Sequence, residues 1–128
     1  MNDNARRWFG FAQEDLRVAE VIFAEGLFNQ VCFHAQQCVE KTLKALLSQR
    51  GKVPPRTHSI TDLLNILPSG WFSGLRTELE GLDDYYIPTR YPDALPGTLP
   101  AGLPGKAQAE EVLGLAQKTI QIAIRLLK

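Results

Sequence analysis

An all-α fold, an antiparallel up-and-down bundle of four long helices plus one short helix, is predicted for this 128-residue chain by three observations. Apolar residues recur at steps of three and four, the repeat of one helix face. Glycines and prolines cut that pattern into helix-length pieces. No internal repeat or strand-like alternation competes with it.

The elements follow in chain order. Trp8, Ala12, Asp15, Ala19 and Ile22 predict a first helix over residues 4–25, ended by Gly26 as a residue just past a helix end. Phe28, Cys32, Ala35, Val39, Leu43 and Leu46 predict a second over 28–50, stopped by Gly51 and by Pro54 and Pro55. A short third helix opens at Ser59, placed to cap it, with Asp62 in its first turn and Ile60, Leu63, Leu64 and Leu67 on its apolar side. Phe72, Leu75, Leu79, Leu82 and Tyr86 predict a fourth of about four turns, with Trp71 at its entrance. Ala109, Leu113, Ala116, Ile120, Ala123 and Leu127 predict a last helix over 106–127. Before it, Pro88, Pro92, Pro96, Pro100 and Pro104 recur every fourth residue and forbid helix, so an extended, partly ordered strap is expected there.

The composition bounds function. One domain over residues 1–128 is expected from length, and 45% apolar content suits a globular chain. Fourteen Lys and Arg balance fourteen Asp and Glu, so no global field attracts nucleic acid or anionic lipid, and any basic site is local. No apolar run approaches the roughly 20 residues that span a bilayer, which points to a cytoplasmic protein with no membrane partner. Cys32 and Cys38 lie six residues apart in one predicted helix, about 9 Å and on different faces, and read as buried thiols rather than a disulfide.

Several residues are candidates for chemistry. His34, Gln37, Lys41 and Lys44 share one polar stripe of the second helix, where an anion or nucleotide can bind; the alternative is a solvated face. Glu40 stands four residues before Lys44, the spacing of a helical ion pair. Asp15 puts a carboxylate on an otherwise apolar stripe, so it either accepts hydrogen bonds from Gln36, Gln37 or Lys41 or orients a ligand. Arg90, Tyr91 and Asp93 sit in an aromatic and polar cluster that opens the strap. There Arg90 can clamp phosphate, or pair with Asp93, Asp83 or Asp84. His34 and Cys38 have metal-ligand spacing but no second cluster to complete a site, and His58 reads as structural. No catalytic residue, metal set or cofactor is assigned.

The sequence resembles the HEPN domains of bacteria and archaea. The resemblance rests on Trp8 with Ala12 and Asp15, and on Phe33-His34-Ala35-Gln36-Gln37-Cys38-Val39-Glu40-Lys41 followed by Leu43-Lys44-Ala45. His58-Ser59 and Arg90-Tyr91-Pro92-Asp93 complete it. It spans essentially the whole chain. It implies a helical bundle that forms homodimers, works beside a minimal nucleotidyltransferase in toxin-antitoxin-like systems, and binds nucleotide or RNA. Its cleft would lie near Asp15, the stripe from Gln36 to Lys44 and the Arg90 strap. Ribonuclease branches of the family carry an arginine followed after four to six residues by a histidine; here Leu95, Pro96 and Gly97 stand where that histidine would follow Arg90. Without that imidazole the expected proton carrier near neutral pH is missing. The function expected from sequence is therefore a binding and assembly subunit without its own catalysis. A metal-independent ribonuclease and a small-ligand sensor are the alternatives.

Overall fold

In the computed structural model, which describes residues 1–86 and 103–128, the first two helices are joined by a turn that forces them antiparallel. Helix α1 runs Asp3–Ala24 and α2 runs Phe28–Gln49. Between them Gly26, at φ 76°, donates to the Phe23 carbonyl while Leu27 donates to that of Ile22, the paired closure that satisfies the last carbonyls of a helix. The same closure ends α2 at Gly51, φ 78°, where Gly51 donates to Ser48 and Lys52 to Leu47. Both glycines supply a backbone conformation that side chains with a Cβ disfavour.

The antiparallel pair is pinned at both ends. Phe23 and Phe28 meet edge to face at 5.5 Å beside the turn. At the far end Asn2 caps α1 by accepting from the Ala5 N–H, and its side-chain amide donates to the Ser48 carbonyl of α2 at 2.8 Å.

Helix α2 is the centre of the bundle. Every residue from 35 to 48 except Lys41 is buried, because α1, the short helices and the last helix pack around it. On α1 the buried face is Ala5, Phe9, Ala12, Asp15 and Ala19; Trp8 and Ile22 sit at its edges rather than on the expected stripe. The last helix, α5 (Lys106–Leu126), follows the expected line through Ala109, Ala116, Ile120 and Ala123, with Leu113 displaced to its margin by Val112 and Leu115.

Helix α3 (Ile60–Ile66) is capped by Ser59 as its sequence predicts, the hydroxyl accepting from the Asp62 N–H. The fourth element is shorter than expected. Gly74, at φ 86°, breaks the run, so residues 71–75 form turns and α4 covers only Arg76–Gly81 before a 3₁₀ turn at Leu82–Tyr85. Phe72, Leu79 and Leu82 still reach the core, which explains why their spacing reads as one continuous helix. All described elements are helical, and no described helix is long and apolar enough to cross a membrane. Most of the proline-rich segment expected to form a strap, with Arg90, Tyr91 and Asp93, lies outside the described residues.

Candidate functional site

Two carboxylates organise the polar part of the α1–α2 pair, and each holds one histidine and one lysine. Asp15 projects from the buried face of α1 towards α2. There His34 and Lys41, two turns apart on one side of the helix, reach it together. His34 Nδ1 lies 3.0 Å from Oδ1 and Lys41 Nζ lies 2.6 Å from Oδ2. Burial alone would raise the Asp15 pKa, but the hydrogen bonds from His34 and Lys41, with the charge of Lys41, outweigh it and hold the carboxyl below its ordinary range. An ionised carboxylate only accepts, so His34 carries its proton on Nδ1 and leaves Nε2 for another partner.

Glu40 is the second anchor. Its Oε2 accepts from Lys44 Nζ at 3.1 Å, and its Oε1 meets His58 Nδ1 at 3.1 Å and the Gln37 side-chain amide at 3.3 Å. Gln37 also donates to Gln36 Oε1 at 2.7 Å, and Gln36 in turn donates to the His58 carbonyl at 3.1 Å. This amide chain ties the middle of α2 to the loop before α3. It satisfies groups whose burial would otherwise cost about 1–3 kcal/mol each.

The stripe therefore is not a solvated face. Gln37 and Lys44 are buried, and the Lys44 side chain, 7% exposed, places its ammonium over the Trp8 ring at 5.2 Å. His34 and Lys41 remain about a quarter exposed, so the outward part of the cluster is Asp15 with these two residues. Of the partners expected for Asp15, Lys41 is used; Gln36 and Gln37 turn to each other and to Glu40 instead.

An aromatic line runs beside the carboxylates. The His58 ring stacks on Tyr86 with centroids 4.3 Å apart and planes 18° from parallel. Tyr86 also meets Phe33 at 5.9 Å, and Phe33 meets His34 at 5.3 Å. His58, Ser59, Asp83 and Tyr86 border a shallow hollow of about 190 Å³. Asp83 is committed to α3, accepting from the Ile60 N–H at 2.6 Å, the Thr61 N–H at 3.2 Å and the Thr61 hydroxyl at 2.7 Å. Both cysteines are buried thiols, as expected, and burial pushes each up to about 12.

Glu40, His58 and Tyr86 are the participants that sequence reasoning left out of the site. The spacing of Glu40 and Lys44 gave their ion pair, but the approach of His58 across 18 residues depends on how the loop before α3 folds back. No local pattern encodes that.

Beside this geometry stands the likeness of the chain to known proteins. The HEPN domain model matches residues 5–127. The "Putative toxin MJ1304" of Methanocaldococcus jannaschii is 30% identical over 128 residues, an alignment covering 91% of this chain and 84% of that relative. The crystal structure of TT1696 from Thermus thermophilus superposes with a TM-score of 0.85 at 40% identity, covering 98% of this chain and 100% of the other. That of ST0689, an archaeal HEPN homologue, superposes with a TM-score of 0.76 at 29% identity, covering 99% and 100%.

Proposed function

Since this chain belongs to the HEPN domain family, we propose that it is a non-catalytic binding and assembly subunit that forms homodimers and works with a minimal nucleotidyltransferase. In this reading the outward side of the Asp15 cluster engages the ligand or partner. The observation that carries it is the single carboxylate of Asp15 holding both His34 and Lys41. An ammonium has three donors, and one is occupied by Asp15; the others are left for a phosphate or a partner carboxylate, while His34 Nε2, the acceptor nitrogen of the neutral ring, is left for a hydroxyl or N–H donor. Gln37 and Lys44 support this face from beneath through Glu40. Arg90, Tyr91 and Asp93 are assigned to it on sequence grounds. The name of the Methanocaldococcus relative supports a toxin-antitoxin-like setting. Phe11, Val18 and Val21 stand exposed at spacings of seven and three along α1, which supports self-association through that helix.

The test is native mass spectrometry of the tagged protein, recovered at its natural level from its own cells. A complex with a nucleotidyltransferase, weakened by Lys41→Ala, is the expected result. A strictly monomeric protein with neither partner nor bound nucleotide would end this reading.

A second reading, a metal-independent ribonuclease, gains from one observation. His34 and His58 are each held through Nδ1 by a carboxylate, the arrangement that orients an imidazole for proton transfer at Nε2. Incubation with single-stranded and structured RNA, with His34→Ala, His58→Ala and Arg90→Ala beside the wild type, decides it. Cleavage lost in these variants supports an enzyme; no cleavage, or cleavage indifferent to all three, removes it.

A further inference from the structure

At the end of the bundle where α1 begins and α2 finishes lies a cleft of about 950 Å³, distinct from the Asp15 cluster. Trp8 lines it, and Asp15 is seven residues further along α1, about 10 Å by helical rise. We propose that this cleft is a binding site for a phosphate group, either inorganic phosphate or a phosphate monoester.

Three features of the cleft converge on an anion. Arg7, Lys52 and Arg56 line it and are exposed, while the one carboxylate on its wall, that of Asp3, is already paired with Arg6 at 3.1 Å. Helix α1 also begins here. Its cap Asn2 takes the Ala5 N–H with its side chain and the Arg6 N–H with its carbonyl, so the N–H groups of Asp3 and Asn4 are left at the positive end of a 22-residue helix. Two adjacent backbone donors beside guanidinium groups are the elements from which phosphate sites are built.

The third feature is independent of the helix end. Ser48 lines the cleft, is only 5% exposed, and its hydroxyl is the one buried side-chain polar atom without a hydrogen-bond partner among the described residues. The buried threonines behave differently: Thr42 and Thr119 each donate to the carbonyl one turn back, at 2.7 and 2.8 Å. An unpaired buried hydroxyl is disfavoured, and native structures rarely keep one without a use. The hydroxyl oxygen itself has almost no accessible surface, and a turn about the Cα–Cβ bond of Ser48 would carry it to a phosphate oxygen at the floor of the cleft. The Asn2 amide, bound to the Ser48 carbonyl, holds that floor against the start of α1.

The experiment is calorimetric titration of the full-length protein with sodium phosphate, against sodium chloride at matched ionic strength, and with AMP as the monoester. Saturable heat with phosphate and none with chloride is expected. Equal affinity for AMP assigns the site to the phosphate alone, and tighter AMP binding adds a contribution from Trp8. Arg7→Ala and Arg56→Ala, both at exposed positions, should each weaken binding about five- to tenfold by removing a charge-assisted bond. Ser48→Ala should weaken binding several-fold while leaving thermal stability equal or higher, a split that a purely structural serine would not give. Binding that depends on Arg7 and Arg56 should persist in Lys41→Ala, whatever that variant changes at the Asp15 face, which separates the two sites. Binding no stronger than chloride, or phosphate affinity retained in the Arg7→Ala, Arg56→Ala double variant or in Ser48→Ala, overturns the proposal.

Discussion

Lys41 Nζ lies 2.6 Å from Oδ2 of Asp15, joining the middle of α2 to the middle of α1 through a carboxylate that is nine-tenths buried. The second oxygen of the same carboxylate is taken by His34. Replacing Asp15 by Asn keeps the shape and removes the charge, leaving Lys41, about a quarter exposed, without its counter-ion. A loss of about 1–3 kcal/mol in unfolding free energy is expected. The folded-state pKa of Asp15 is lowered, so its contribution is fully present above the unfolded carboxylate value of about 3.9 and disappears as pH falls through the lower folded value. Urea unfolding from pH 7 downwards should therefore show the wild type and Asp15→Asn separated at neutral pH and converging in acid. Curves separated by the same amount at all pH values would contradict this.

Lys44 and Glu40 form a pair sealed from water, and breaking such a pair costs more than making it gains. Lys44→Met should destabilise the protein by about 3 kcal/mol, because Glu40 stays buried with only Gln37 and His58 to serve it. Replacing both at once, Lys44→Met with Glu40→Leu, should recover part of that loss. The urea midpoints of the three proteins test the order.

Asp83 acts as a remote cap for α3, with its carboxylate on the Ile60 and Thr61 N–H groups. Asp83→Ala should cost about 1–2 kcal/mol and accelerate amide hydrogen exchange at those two positions first. If exchange there were unchanged, the carboxylate would have no part in ordering this helix.

Cys32 and Cys38, raised to about 12 by burial, should be inert to a thiol reagent at pH 8 while the protein is folded and react at once in denaturant. Mass spectrometry after brief alkylation, with and without urea, reads the difference. Modification of the folded protein at the rate of an exposed thiol would show that the bundle opens around α2.

What the sequence discloses here is governed by how local each cause is. The helices of α1, α2 and α5 follow from repeats within single segments, and Gly26, Gly51 and Ser59 end or begin them by chemistry that acts within a few residues. The fourth helix is overextended in such a reading because Gly74 interrupts the backbone without disturbing the apolar spacing of Phe72, Leu79 and Leu82. Asp15 is conspicuous as a carboxylate on an apolar stripe, and its bond to Lys41 follows once two helices are taken as antiparallel neighbours. The engagement of His58 with Glu40, its stack on Tyr86 and the reach of Asp83 to α3 all depend on where loops fold back, across 18 to 28 residues. The same is true of Ser48, whose unpaired hydroxyl is indistinguishable in sequence from those of Thr42 and Thr119.

The near-complete enclosure of α2 also makes its length a fixed quantity. Each residue advances a helix by about 100°, so one residue inserted after Gln37 would turn Glu40 from His58, Lys41 from Asp15 and Lys44 from Trp8 while leaving His34 in place. The buried run from residue 35 to 48 offers no slack in which to absorb that rotation. Changes in chain length that this protein can accept therefore belong to its connections, and a reading frame that gains or loses a codon after Gln37 would lose the Lys41–Asp15 and His58–Glu40 links in a single event.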